Sequence, residues 1–274
     1  MTSTARSGIA GLPHALRDAD ALAEQTRSRR SAVFLDYDGT LTPIVDRPED
    51  AIISERMRDV VQALACRSPV CVVSGRDRPV VQQLMGVDDL IVAGSHGFDI
   101  WAPNGGTIER EEGGDFAELL TELTTRLRDE VGSVEGALIE PKRSSVALHY
   151  RLVPEPRRPQ IKATVDGVLA DHPERLRVTP GKMVYELQPK LEWDKGRAVL
   201  YLLEALELDR EDVLPIYIGD DITDEDAFRA LSGRGIGILV ADPADPEVAG
   251  RSTAAQYLLS DVQEVEQFLD GLAR

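Results

Sequence analysis

The chain has 274 residues, 42% hydrophobic and 29% charged, which is enough apolar material for one large domain or a core carrying a smaller insert. Its 31 basic and 48 acidic residues leave a net charge of −17, a field that repels nucleic-acid backbones and anionic lipid surfaces and requires a cation or local Lys and Arg around any anionic substrate. Two cysteines, Cys66 and Cys71, are too few for a disulfide scaffold and lack zinc-site spacing, and no apolar run reaches membrane-spanning length, so a cytoplasmic protein away from membranes is expected.

The first 30 residues read as a polar helix packed outside the core. Residues 32–35 (AVFL) form an apolar run that ends in Asp36-Tyr37-Asp38-Gly39-Thr40. Continuous rather than alternating hydrophobicity predicts a parallel strand covered on both faces, whose C-terminal end opens onto a ligand crevice. Two carboxylates at that end repel one another, and a divalent cation relieves the repulsion; hard oxygen donors suit Mg²⁺. Residues 54–67 predict a helix capped by Ser54, with Met57, Val60, Val61, Leu64 and Ala65 at helical spacing. The next apolar run, 70–73 (VCVV), delivers Ser74, Gly75 and Arg76. A hydroxyl and a guanidinium beside acidic strand ends fit a phosphate pocket. A third strand is expected over 90–93, followed after Trp101 by a Gly-rich turn at 103–106.

The middle of the chain has a different rhythm. A helical pattern runs through Phe116, Leu119, Leu120, Leu123 and Leu127. Residues 145–152 then alternate, with Val146, Leu148, Tyr150 and Leu152 on one face and Ser145, Ala147, His149 and Arg151 on the other. That period of two predicts a sheet with one buried and one wetter face. Glu140 and Lys142 share a strand face, as do Lys182, Val184, Glu186 and Gln188, opposite Met183, Tyr185 and Leu187. Core-like signals return at 194–208, a helix capped by Asp194, where spacing alone leaves Lys195 in solvent. The run 215–218 (PIYI) ends in Gly219-Asp220-Asp221 with Asp224 close behind; Glu225 and Asp226 complement a helix dipole. A strand at 236–240 and a helix at 261–272 complete the pattern. The fold class is α/β: a doubly wound, Rossmann-like parallel-sheet core over 1–109 and 191–274, with a smaller α+β domain inserted at 110–190.

The ordered set Asp36-Tyr37-Asp38-Gly39-Thr40, Ser74, Lys195 and Gly219-Asp220-Asp221 resembles the four motifs of the haloacid dehalogenase superfamily of phosphohydrolases. That resemblance implies Asp36 as nucleophile, Asp38 as acid and base, and Ser74 and Lys195 as neutralisers of phosphoryl charge. It implies Mg²⁺ on Asp36, the Asp38 carbonyl and Asp220, with Asp221 or Asp224 contributing directly or through water. TLTPI at 40–44, SGR at 74–76, GSHGFDI at 94–100, Glu140-Pro141-Lys142, ALHYR at 147–151, GKMVYELQP at 181–189 and GDDITDEDAF at 219–228 together resemble trehalose-6-phosphate phosphatases. In that family the insert is a mobile cap that closes over the sugar. The resemblance implies a sugar-phosphate substrate in contact with Thr40, Gly75, Arg76, Glu140, Lys142, Lys182 and Glu186, and a functional link to a trehalose-6-phosphate synthase. Arg76 alternatively orients the acidic loops, and His149 either reaches ligand or pairs within its sheet. Alternatives to trehalose 6-phosphate hydrolysis are another glycosidic or polyol phosphate as substrate, phosphoryl transfer in a mutase, or a non-catalytic accessory subunit.

Overall fold

The structure, a computed structural model, describes residues 7–17, 20–45, 47–87, 90–103, 106–108, 114–142, 145–181, 183–190, 193–245, 248 and 250–274. The chain falls into two compact units, Met1–Ile108 with Trp193–Arg274, and Glu109–Glu192. In chain order the first unit begins with α1 (Asp20–Ser28), β1 (Arg30–Leu35), α2 (Glu55–Ala65), β2 (Val70–Val73), α3 (Arg78–Met85), β3 (Ile91–Gly94), β4 (Asp99–Ala102) and β5 (Gly106–Ile108). The second unit holds α4 (Gly114–Val131), β6 (Leu138–Pro141), β7 (Val146–His149), α5 (Arg158–Asp171), β8 (Leu176–Gly181) and β9 (Val184–Pro189). The chain then returns to the first unit with α6 (Lys195–Ala205), β10 (Val213–Gly219), α7 (Asp224–Ala230), β11 (Ile236–Val240), β12 (Tyr257–Leu259) and α8 (Val262–Ala273).

The first unit is built on an eight-stranded sheet in the order β12-β11-β10-β1-β2-β3-β4-β5. Pairing is parallel from β12 to β3 and antiparallel at β4 and β5. Both faces are covered, which is why the strands read as unbroken apolar runs. On one face Val33, Leu35, Val72, Ile216 and Ile238 pack with Met57 and Leu64 of α2, Val81 of α3 and Val265 and Leu269 of α8. On the other, Phe34, Val73, Tyr217 and Leu239 pack with Val199, Leu202 and Leu203 of α6 and Phe228 of α7. Three helices start on a side-chain cap: Ser54, Asp194 and Asp261 each accept an N–H from the first turn of α2, α6 and α8. From β1 the chain builds outward through β2 and β3, then returns to lay β10 on the other side of β1. The ends of β1 and β10 therefore flank the point where strand order reverses, the place in such sheets where ligands bind.

The second unit is a four-stranded antiparallel sheet, β6-β7-β9-β8, with α4 and α5 on one face. Leu119, Leu123 and Leu127 of α4 and Ile161, Val165 and Val168 of α5 meet Val146, Leu148, Leu176 and Leu187 of the sheet. Glu140, Ala147, Glu186 and Thr179 stand in one register row across it.

Three expectations change. Among the described residues of the N-terminal segment the α-helix covers Asp20–Ser28; before it, Ser7–Gly8 pairs with Ser252–Thr253, and Ile9 is buried in a 3-10 turn. The alternating strand stops at His149, because Val153 N–H bonds the Tyr150 carbonyl in a turn; Leu152 is 80% exposed and Val153 takes the buried place. The strands β4 and β5 extend the sheet edge where a turn alone was read, since three- and four-residue antiparallel strands carry too few residues to display a period.

Candidate active site

The ends of β1 and β10 converge because the sheet ladder continues one residue past β1: the Asp36 N–H donates to the Ile218 carbonyl at 2.9 Å. Asp36 and Lys195 are both buried, and Lys195 Nζ donates to Asp36 Oδ1 at 2.8 Å and to Asp224 Oδ1 at 2.7 Å. Asp224, with no exposed surface, also accepts from the Tyr217 hydroxyl at 2.6 Å on Oδ1 and from the Asp221 N–H at 2.9 Å on Oδ2. Both of its oxygens are thus engaged in fixing Lys195 and the turn. Asp220 differs: its Oδ1 is buried with no hydrogen-bond partner among the described residues. Gly39, at φ 77°, lets the loop after β1 approach this group closely, and a Cβ there would collide with the Asp220 carboxylate.

Asp36, Asp220 and Asp224 each offer an oxygen within 4.8 Å of the others. The electrostatic cost appears in their proton affinities. Burial, then the Asp224 charge, raises Asp36 well above the carboxylate range despite Lys195. Burial, then Asp224 and Asp221, pushes Asp220 up to about 7. Burial alone would lower Lys195, but Asp36 and Asp224 outweigh it and raise it. Three clustered carboxylates against one ammonium, with one carboxylate oxygen orphaned, make a donor set that fits a hard divalent cation. Asp221 stands apart: it is exposed, and its Oδ2 accepts from the Thr223 hydroxyl at 3.4 Å.

On the other side of β1, Ser74 is buried at the end of β2, and its Oγ accepts the Arg76 N–H at 3.2 Å. Thr40 Oγ1 is buried and has no partner among the described residues, while Gly75 is exposed. Arg76 is paired with Asp38, the loop-orienting arrangement that was one of its two readings: Nε donates to Oδ2 and Nη2 to Oδ1, each at 2.6 Å, and Nη1 donates to the Pro48 carbonyl at 2.6 Å.

In the second unit, Glu186 Oε1 accepts from the Ser145 hydroxyl at 2.7 Å and from Lys142 Nζ at 3.3 Å. Burial works to raise the Glu186 carboxyl, but the Ser145 and Lys142 contacts prevail and hold it below its ordinary range. His149 Nε2 lies 2.7 Å from Glu140 Oε2, the within-sheet pairing that was one of its two readings. Lys182 lies outside the described residues.

Sequence reasoning passed over Tyr217, although a hydroxyl inside an apolar parallel strand needs a partner and could have been flagged for that reason. Ser145 was placed on the correct face but given no role. The solvated position that spacing suggested for Lys195 is replaced by a fully paired one. Glu225, read as a dipole complement, is buried and accepts the Ala254 N–H at 2.9 Å.

The sequence model of the trehalose-phosphatase family matches residues 34–263, a span that holds every one of these site residues. The chain belongs to the trehalose-phosphatase family. It is 37% identical over 277 residues to trehalose-phosphate phosphatase B of Arabidopsis thaliana, covering 97% of this chain and 72% of that protein. A probable trehalose-phosphate phosphatase 9 of Oryza sativa subsp. japonica is 41% identical over 282 residues, covering 94% of this chain and 73% of its own. Among solved structures, the trehalose-6-phosphate phosphatase of Aspergillus fumigatus superposes with a TM-score of 0.65 at 28% identity, over 96% of this chain and 99% of that one. Among the described residues, no helix is long and apolar enough to cross a membrane.

Proposed function

We propose that this chain is a Mg²⁺-dependent phosphatase that hydrolyses trehalose 6-phosphate to trehalose and phosphate in trehalose biosynthesis. The observation that carries this reading is the buried Asp36 held on Lys195 beside the orphaned oxygen of Asp220, in a member of the trehalose-phosphatase family. Asp36, Asp220 and the Asp38 carbonyl would hold the cation, with Asp224 acting from behind through Lys195 and Asp221 contributing from the surface. When bound, the cation supplies Lewis-acid neutralisation of the carboxylates and of the phosphoryl charge.

Asp36 attacks phosphorus as the bond to the sugar oxygen breaks, and takes the phosphoryl group as an acyl phosphate. Asp38 gives a proton to the departing oxygen, then accepts one from the water that displaces phosphate from Asp36. Ser74 donates to a phosphoryl oxygen and Lys195 offsets the transferred charge. Thr40, with its unpartnered buried hydroxyl, and Gly75 complete the phosphate side. Glu140, Lys142, Lys182 and Glu186 of the second unit, which we read as the cap, recognise the sugar hydroxyls. The expected setting is cytoplasmic, with a trehalose-6-phosphate synthase as functional partner.

The test is phosphate release from a panel of sugar phosphates, with Mg²⁺ and with chelator, for the native chain and Asp36→Asn. Release confined largely to trehalose 6-phosphate and lost in both controls is expected. Mg²⁺-dependent release from other sugars would overturn the substrate and keep the chemistry, and silence across the panel would favour an accessory role.

A further inference from the structure

We propose that Arg76 is the positioning residue for Asp38, a guanidinium frame that aims the proton-carrying carboxylate; this rests on the role for Asp38 proposed above. The pair is bidentate, with both carboxylate oxygens at 2.6 Å from separate nitrogens of one planar fork. Such forks fix direction as well as distance. The burial is unequal: the Arg76 side chain is 17% exposed and that of Asp38 39%. The arginine is therefore the anchored member and the aspartate the presented one.

The other contacts of Arg76 among the described residues serve that anchoring. Nη1 bonds the Pro48 carbonyl at 2.6 Å, the backbone N–H bonds Ser74 Oγ at 3.2 Å, and Cζ lies 5.7 Å from the centre of the Tyr37 ring. Tyr37 is itself fastened by its hydroxyl to the Ala51 carbonyl at 2.6 Å. With its fork on Asp38 and its remaining nitrogen on a carbonyl, Arg76 is arranged to orient a neighbour and not to grip a phosphoryl group.

Orientation of Asp38 matters unequally in the two half-reactions. When Asp36 attacks, the bond between phosphorus and the leaving oxygen breaks; a sugar alkoxide needs the Asp38 proton, whereas p-nitrophenolate departs without one. In the second half, water attacks phosphorus, the bond to Asp36 breaks and Asp38 takes the water's proton, whatever the first leaving group was. Arg76→Ala should therefore give a burst of about one p-nitrophenolate per enzyme from p-nitrophenyl phosphate, followed by a steady rate at least about tenfold below the native one, part of the roughly hundredfold or more that positioned proton transfer contributes. With trehalose 6-phosphate the same variant should show slow turnover and no burst of trehalose. Arg76→Lys keeps the charge without the planar fork, so it should fold and show the same pattern more mildly, and it carries the test if Arg76→Ala does not fold. Tyr37→Phe frees the ring on which Arg76 rests and should show the same pattern more mildly still.

Equal slowing of both substrates without a burst in both Arg76 variants, or unaltered turnover in both, would overturn the inference. Turnover surviving in Asp36→Asn would overturn the underlying mechanism, and the inference with it.

Discussion

Tyr217 brings a hydroxyl into the middle of an apolar strand, and Asp224 is what makes that tolerable. The two bury each other's polar atoms at 2.6 Å, and through Asp224 the tyrosine steadies the ammonium of Lys195 on Asp36. Burial, then the Asp224 charge, raises the Tyr217 phenol well above its ordinary range, so it remains a hydrogen-bond donor. Tyr217→Phe keeps the ring against Phe228 and removes only the donor. Hydrogen bonds to charged groups contribute roughly 1.5–3 kcal/mol, so the free energy of unfolding should fall by that much, read as a lower urea midpoint with the slope unchanged. An unchanged midpoint would show that Asp224 finds an equivalent donor. At this scale the sequence was legible where a motif had a chemical reason: Asp36, Asp220 and Ser74 all lie at strand ends. The residues Lys195 and Arg76 were legible through the motifs, but their partners Asp224 and Asp38 were not, since these depend on how distant loops meet and leave no trace in local spacing.

Among the elements, α8 shows how a helix start can hold a distant segment. Asp261 caps it through the Glu264 N–H, and the Glu264 carboxylate reaches back to the Ser260 N–H at 2.6 Å while also meeting His14 Nε2 at 2.9 Å. Burial works to raise the Glu264 carboxyl, but the Ser260 and His14 contacts win and hold it below its ordinary 4.5. A carboxyl lowered on folding adds stability above its unfolded value and loses it as pH falls through the folded one. The stability gap between the native chain and Glu264→Gln should therefore be steady near neutral pH and close as the solution is acidified below 4.5. Urea titrations of both proteins across that range would check it, and a gap that persists in acid would assign the effect to side-chain packing. The cap residues Ser54 and Asp194 were legible because a side-chain oxygen before an apolar helical stripe has few other uses, whereas Asp261 was read as the first residue of its helix. The end of β7 was not, because Leu152 continues the alternation that the turn at Tyr150 interrupts.

For the molecule as a whole, the acidic cluster sits in a chain already carrying −17, so its carboxylates gain little relief from their surroundings. A bound divalent cation should raise the melting temperature of metal-stripped protein, by an amount set near 2.7 kcal/mol at a hundredfold excess over Kd. Asp220→Asn should abolish most of that Mg²⁺ response, and an equal shift in the variant would place the cation elsewhere. The α/β core with an insert was legible because apolar runs and alternating strands differ in period, and the two rhythms separate along the chain. The site was legible only in halves, since residues 36–76 and 195–224 are joined by the strand order and by nothing local. That interruption has a consequence during synthesis. β1 is an interior strand, yet the neighbour it needs on one side, β10, begins only at Val213. While the ribosome is still making the second unit, the apolar edge of β1 waits unpaired, open to any other nascent chain. The arrangement that later sets Asp36 beside Asp220 thus leaves the emerging chain with one open strand edge until its two halves can meet.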